Sequence, residues 1–174
     1  MFEADANKGM ENLGTEDLAL PRLKVLSGNS AELDTHETAR KGDIYNTVTG
    51  VAYSGKEGIK VVPCAYQRRF IQWAPRGEGT GAPVTIYEPG QPRPETNRDY
   101  EKNQDNKDWL TDGSGHYIEE TAQHFVLLIN EDGAIETALI AMKSTQLKKS
   151  RKWNSMMMSR SVKGANGPFN PPRW

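Results

Sequence analysis

Gln123-His124-Phe125-Val126-Leu127-Leu128-Ile129-Asn130-Glu131-Asp132-Gly133-Ala134-Ile135-Glu136-Thr137-Ala138-Leu139-Ile140-Ala141-Met142, residues 123–142, decides how this chain folds. Gln123 to Ile129 and Ala134 to Met142 are rich in apolar and β-branched residues, as half-buried strands require. Between them Asn130-Glu131-Asp132-Gly133 places a glycine where a tight turn needs positive φ. The pattern predicts an antiparallel β-hairpin.

Upstream, Ile59-Lys60-Val61-Val62-Pro63-Cys64-Ala65-Tyr66-Gln67-Arg68-Arg69-Phe70-Ile71-Gln72-Trp73 is the longest strand-like run. Neither parity is apolar along its whole length, which predicts a bulge or bend near Pro63 that joins two halves of opposite alternation. A Gly-rich turn at Arg76 to Gly81 and a short strand at Pro83 to Tyr87 follow. Asp43 to Tyr53, with Thr49-Gly50 inside it, reads as another hairpin. Residues 1–40 form a polar arm or edge strand around Leu18 to Leu26, since Pro21 lacks an amide donor and suits only an edge. Residues 88–121 are dominated by Pro, Asn, Asp, Glu, Lys and Gly and read as one long polar loop, anchored by Tyr100, Trp109, Leu110, Tyr117 and Ile118.

From Ser144 the period becomes helical, with Ser144 or Thr145 available as an N-cap. At helical spacing Leu147, Ser150, Asn154, Met157, Met158 and Ser161 share one face, and Lys148, Lys149, Lys152 and Arg160 the other. A Pro-rich exit ends at Trp174. The net charge of −1 hides a division along the chain. Residues 1–136 hold 14 Lys and Arg against 23 Asp and Glu, whereas residues 137–174 hold 8 basic residues and no acidic one. A helix that neutralised its own protein would normally mix in acidic residues for i,i+4 pairs. This segment therefore reads as a polyanion contact.

The composition excludes several classes. The longest apolar stretch, Phe125 to Ile129, is far below the ~20 residues needed for a helical span, so no membrane association is expected. An acidic start lacks the features of a secretory signal, and a single cysteine, Cys64, suits a reducing compartment, which points to the cytoplasm. No catalytic spacing is present: no HExxH, GxSxG or CxxC occurs, and Gly77 to Gly81 lacks the Lys and Ser or Thr of a phosphate loop. Asp99, Asp105, Asp108 and Asp112 do not match EF-hand spacing and read as a solvated acidic loop. His124 reads as a satisfied core or interface histidine and Cys64 as a small buried hydrophobe. No catalytic residue, metal ligand or cofactor is expected.

The stronger signal is basic residues interleaved with aromatics. Tyr66, Arg68 and Phe70 share one side of a strand by period two. Rings on a sheet stack bases without a sequence code, and guanidinium groups hold phosphates. The alternative is that Tyr66 and Phe70 fill a core and the arginines are solvated.

Glu16 to Pro21, Gly42 to Gly50, Val61 to Tyr66, Phe70 to Trp73 and Lys143 to Trp153 together resemble a family of tailed-bacteriophage proteins associated with single-stranded DNA binding in replication or recombination. The resemblance implies an OB-like barrel that coats single strands. It departs in one respect: many proteins of that role carry an acidic C-terminal tail, and this chain ends basic, so either the tail lies beyond residue 174 or the role differs.

The expectation is a mainly β protein: an OB-like five-stranded barrel over residues 41–142 with loop 88–121 inserted, then a basic helix and tail over 143–174. Tyr66, Phe70, Trp73 and Trp153 would stack bases; Arg68, Arg69, Arg76, Lys148, Lys149, Arg151 and Lys152 would neutralise phosphates. Expected partners are single-stranded DNA and phage replication or recombination proteins in the host cytoplasm, with no membrane; the sequence leaves open whether the chain forms a homo-oligomer. The alternative is a virion or assembly protein whose basic tail packs on an acidic partner. A metal-dependent nuclease using Asp105 and Asp108 is a third class.

Overall fold

The computed structural model describes residues 14, 18–75, 77–97 and 107–159. They belong to two compact units, Met1–Glu57 and Gly58–Trp174.

In the first unit, β1 (Leu23–Val25), β2 (Ile44–Asn46) and β3 (Ala52–Tyr53) form an antiparallel sheet in that order, with the single-turn helix α1 (Glu32–Thr35) between β1 and β2. Pro21 stands outside β1, which lies at the sheet edge. Leu23 and Leu26 are buried, and the buried Asn46 makes the β2–β3 turn: its Oδ1 accepts from the Val48 and Thr49 amides at 3.0 and 3.2 Å. The hairpin expected from Asp43 to Tyr53 is thus present, inside this three-stranded sheet.

The entrance to that hairpin is pinned by Asp43, whose carboxylate accepts from the Gly55 and Arg40 amides at 2.9 Å each. Those two backbone donors hold its pKa below the ordinary aspartate value. Gly55 is required because a Cβ there would lie 2.1 Å from the Gly42 carbonyl oxygen. Gly55→Ala is therefore expected to lower the first unit's stability by about 1–3 kcal/mol, the usual range for overpacking, as read by urea denaturation.

In the second unit, β4 (Lys60–Trp73) and β8 (Tyr117–Ile129) make the long central ladder, paired from Lys60 opposite Ile129 to Trp73 opposite Tyr117. β5 (Thr85–Tyr87) lines the far side of β4. On the other side of β8, β7 (Asp108–Leu110) covers its first residues and β9 (Ile135–Lys143) the rest, with β6 (Thr96–Asn97) outside β7. The hairpin read from residues 123–142 is the β8–β9 pair, and Gly133 takes φ 85° in its turn.

The register shifts between Pro63 and Ala65, leaving Cys64 as the extra residue. Pro63 has no N–H to offer a ladder, so the irregularity sits where it costs least. The shift puts Val61 and Pro63 on the same side as Tyr66, Arg68, Phe70 and Gln72, which is why neither parity was apolar throughout. The buried Cys64 thiol donates to the Val62 carbonyl at 3.4 Å.

Two expectations change. β8 begins at Tyr117 rather than Gln123, and short strands interrupt the stretch expected to be one loop. Glu119 and Glu120 hid the strand's beginning from pattern reading, because their charges are answered only by distant residues: Lys143 for Glu119, Arg68 for Glu120. The expected five-stranded barrel becomes a six-stranded antiparallel sheet with an open path, β5-β4-β8-β7-β6 plus β9 on β8, and no ladder joins its edges among the described residues.

Most of the core lies on one side of this sheet, where Ile118, Ala122, His124, Val126 and Leu128 of β8 and Ala138 of β9 are buried, while Thr121 and Leu139 are buried on the reverse. Helix α2 (Leu147–Ser159) packs on that side. It is entered through a 3-10 turn, Ser144–Gln146, with Lys143 at the cap position and no side-chain cap bond; Ser144 itself takes φ 50°. The expected cap from Ser144 or Thr145 is replaced by this tighter turn. Leu147, Ser150, Trp153, Asn154 and Met157 point inward, whereas Met158 is 68% exposed and Ser161 lies outside the described residues.

Candidate nucleic-acid interface

Because β4 is extended, it deals its basic and aromatic residues to two sides. Tyr66, Arg68 and Phe70 stand opposite His124, Ala122 and Glu120 on the helix side; Arg69 and Trp73 stand opposite Thr121 and Tyr117 on the reverse. The set expected to stack bases is divided between them.

On the helix side Tyr66 is 43% exposed, its ring 5.0 Å from that of His124. Phe70 is buried between two guanidinium groups, Arg68 at 5.1 Å and Arg93 at 5.9 Å from its ring centre, and Arg93 is itself paired with Asp108. Phe70 therefore serves as a platform for arginines. Arg68 Nε lies 3.0 Å from Glu120 Oε1, and Arg151 Nη2 of α2 approaches the same oxygen at 3.9 Å. One carboxylate oxygen thus marks where the cations of the sheet meet those of the helix.

Lys148, Lys149, Arg151 and Lys152 are all exposed on α2, which contains no acidic residue. Lys148, Lys149 and Lys152 form no ion pair among the described residues. Trp153, at the border of this basic face, is half-buried and stacks on His124 with centroids 4.5 Å apart and planes at 24°. It fastens the helix.

His124 is buried, and its Nε2 shares a 2.7 Å hydrogen bond with Ser150 Oγ, the buried residue of α2. Nδ1 is buried with no partner among the described residues. Desolvation lowers its pKa to about 4, because nothing in this pocket stabilises the imidazolium. The core histidine foreseen from sequence is thus the seat of the helix, satisfied at one nitrogen only.

The reverse side carries an aromatic row that sequence reasoning missed. Trp73 lies opposite Tyr117, and Tyr117 opposite Trp109, across β4, β8 and β7. Trp109 and Tyr117 meet edge to face at 5.6 Å, and the Lys107 ammonium caps both rings, at 4.3 Å from Tyr117 and 5.3 Å from Trp109. Only the strand register aligns these residues; in sequence Trp109 and Tyr117 looked like scattered loop anchors and Trp73 like a partner of Tyr66 and Phe70. On this side Arg69 donates from Nε to Gln67 Oε1 at 3.3 Å and lies 3.9 Å from Glu88.

Arg76, Asp99, Asp105, Tyr100, Arg160 and Lys163 lie outside the described residues. Asp108 pairs with Arg93, and Asp112 accepts from the Ser114 amide at 2.9 Å. No group of His, Cys, Asp and Glu suited to a metal ion occurs among the described residues. No helix among them is long and apolar enough to cross a membrane.

These features define an antiparallel β protein with a cation-bearing helix docked on its main sheet. The family model of the Pam3 phage gp34-like proteins matches residues 1–174, and the chain belongs to that family, which makes it a bacteriophage protein. No curated protein and no solved structure gives a significant match.

Proposed function

We propose that this protein binds single-stranded DNA without catalysis, coating it irrespective of sequence during phage replication or recombination. The observation that carries the proposal is the convergence of Arg68 and Arg151 on one Glu120 oxygen, at 3.0 and 3.9 Å, which joins the sheet's cations to the exposed Lys148, Lys149 and Lys152 of α2. A strand of phosphates needs such a continuous run of positive charge beside a ring available for stacking. Tyr66 supplies the exposed ring on this side. The role resembles that of OB-type modules, with an open sheet and helix in place of a closed barrel.

Phosphate-dominated binding fixes the salt response. In an anisotropy titration on oligo-dT, log affinity is expected to fall against log salt with a slope of roughly −0.7 per neutralised phosphate. The Tyr66→Ala chain should lose roughly 1–3 kcal/mol of binding, the worth of one stacked base. A flat salt response, or saturable binding unaffected by salt, would overturn the proposal.

A further inference from the structure

We propose that Arg68 and Arg151 form a phosphate subsite and that Glu120 occupies it as an internal anion, which an incoming backbone phosphate must displace. The inference rests on the single-strand reading above and adds a gate to it.

The two arginines come from different elements, β4 and α2, yet both address Glu120 Oε1. Their side chains are 53% and 72% exposed, whereas that of Glu120 is only 13% exposed. The carboxylate therefore sits at the floor, with the guanidinium groups above it and open to solvent. A guanidinium carries five N–H donors in a planar fork that matches phosphate as well as carboxylate. Two forks held side by side are a suitable cradle for one phosphodiester. Arg68 is further held in place from the side, since its guanidinium lies over the Phe70 ring at 5.1 Å. Moving from carboxylate to phosphate thus requires reorientation of the donors rather than transport of the side chain.

Glu120 opposes binding twice over. It takes up donors that a phosphate would use, and its charge repels the phosphate at short range. Neighbouring Glu119 offers an internal control: it is the next residue of β8, points to the reverse side opposite Ile71, and pairs with Lys143 at 3.1 Å. Glu119→Gln and Glu120→Gln change net charge equally, but only the second empties the subsite.

Oligo-dT affinity and its salt slope are measured for the wild-type chain, Glu120→Gln and Glu119→Gln, and for Glu120→Gln in an Arg68→Gln, Arg151→Gln background. Glu120→Gln is expected to tighten binding roughly three- to tenfold, with a salt slope steeper by roughly 0.7 for each arginine released. Glu119→Gln should change little, and the gain should vanish in the double-arginine background. Equal gains from both glutamate variants would reduce the effect to net charge and overturn the subsite; so would an unchanged or weaker Glu120→Gln. Should Glu120→Gln fail to fold, the Arg68 Nε–H resonance of the wild-type chain is followed during oligo-dT titration. A shift supports exchange of carboxylate for phosphate, and an unmoved signal in the saturated complex overturns it. Wild-type binding with no effect of Glu120 defeats this inference alone, whereas absence of binding in every variant defeats the single-strand reading itself.

Discussion

Replacing Lys148, Lys149 and Lys152 together by glutamate is expected to lower affinity for oligo-dT by roughly a hundredfold or more and to flatten the salt slope by roughly 2, since three phosphate contacts at ~0.7 each are lost and three repulsions gained. The fold should survive the change. All three side chains are exposed, whereas the helix is held from its other face by Ser150 and Trp153 on His124. Glutamates at positions 148, 149 and 152 lie in the first turns of α2, where the helix dipole favours negative charge, so the thermal midpoint should hold or rise slightly. The measurement is a salt series of anisotropy titrations paired with thermal unfolding. Affinity that stays within a factor of three, with the chain folded, would mean that α2 is a solvated face and that its charge has another purpose.

The second large effect is on stability against acid. His124 has its folded-state pKa lowered to about 4 by burial, from 6.5 for an ordinary histidine. A histidine whose pKa is lowered by folding favours the native state while neutral, so its contribution is complete above pH 6.5 and is lost as pH falls toward 4. At about 1.4 kcal/mol per pH unit, the second unit should lose on the order of 3 kcal/mol between pH 7 and pH 4 through this group alone. The groups facing it oppose any rescue: the ring of Tyr66 on β4, Ser150 and Trp153 on α2 and Ile140 on β9 carry no negative charge, and Glu120, four residues away on its own strand, is engaged with Arg68. His124→Gln keeps a neutral polar group of similar length for Ser150 and should remove that part of the pH dependence. Urea denaturation at pH 7 and pH 4 of both chains checks it, and an identical acid response in His124→Gln would assign the effect to carboxylates elsewhere.

Local readings served well wherever chemistry was local. The turn at Asn130 to Gly133, the irregularity near Pro63 and the amphipathic helix from Leu147 each follow from what a few adjacent residues permit: a positive φ, a missing amide donor, a charged face and an apolar one. Errors fell where a distant partner decided. Residues 117–122 look polar in sequence because Lys143, Arg68 and Arg151 are far away along the chain, and the aromatic set divides because Trp73 stands an odd number of residues from Tyr66 and so falls on the other face. Trp153 was legible as a border residue; that its face is taken by His124 was not.

The chain's own order of residues determined that it is mainly β, that a helix with one basic face follows the last strand, and that its positive charge gathers after residue 136, since propensity, periodicity and charge are properties of neighbours. Tertiary structure alone decided the strand order of the sheet, that Trp73 faces away from Tyr66, and that Arg68 and Arg151 meet at Glu120. Those outcomes depend on strand register and on where a helix lands, and both are settled by contacts between residues tens of positions apart, whose pairing no local pattern records.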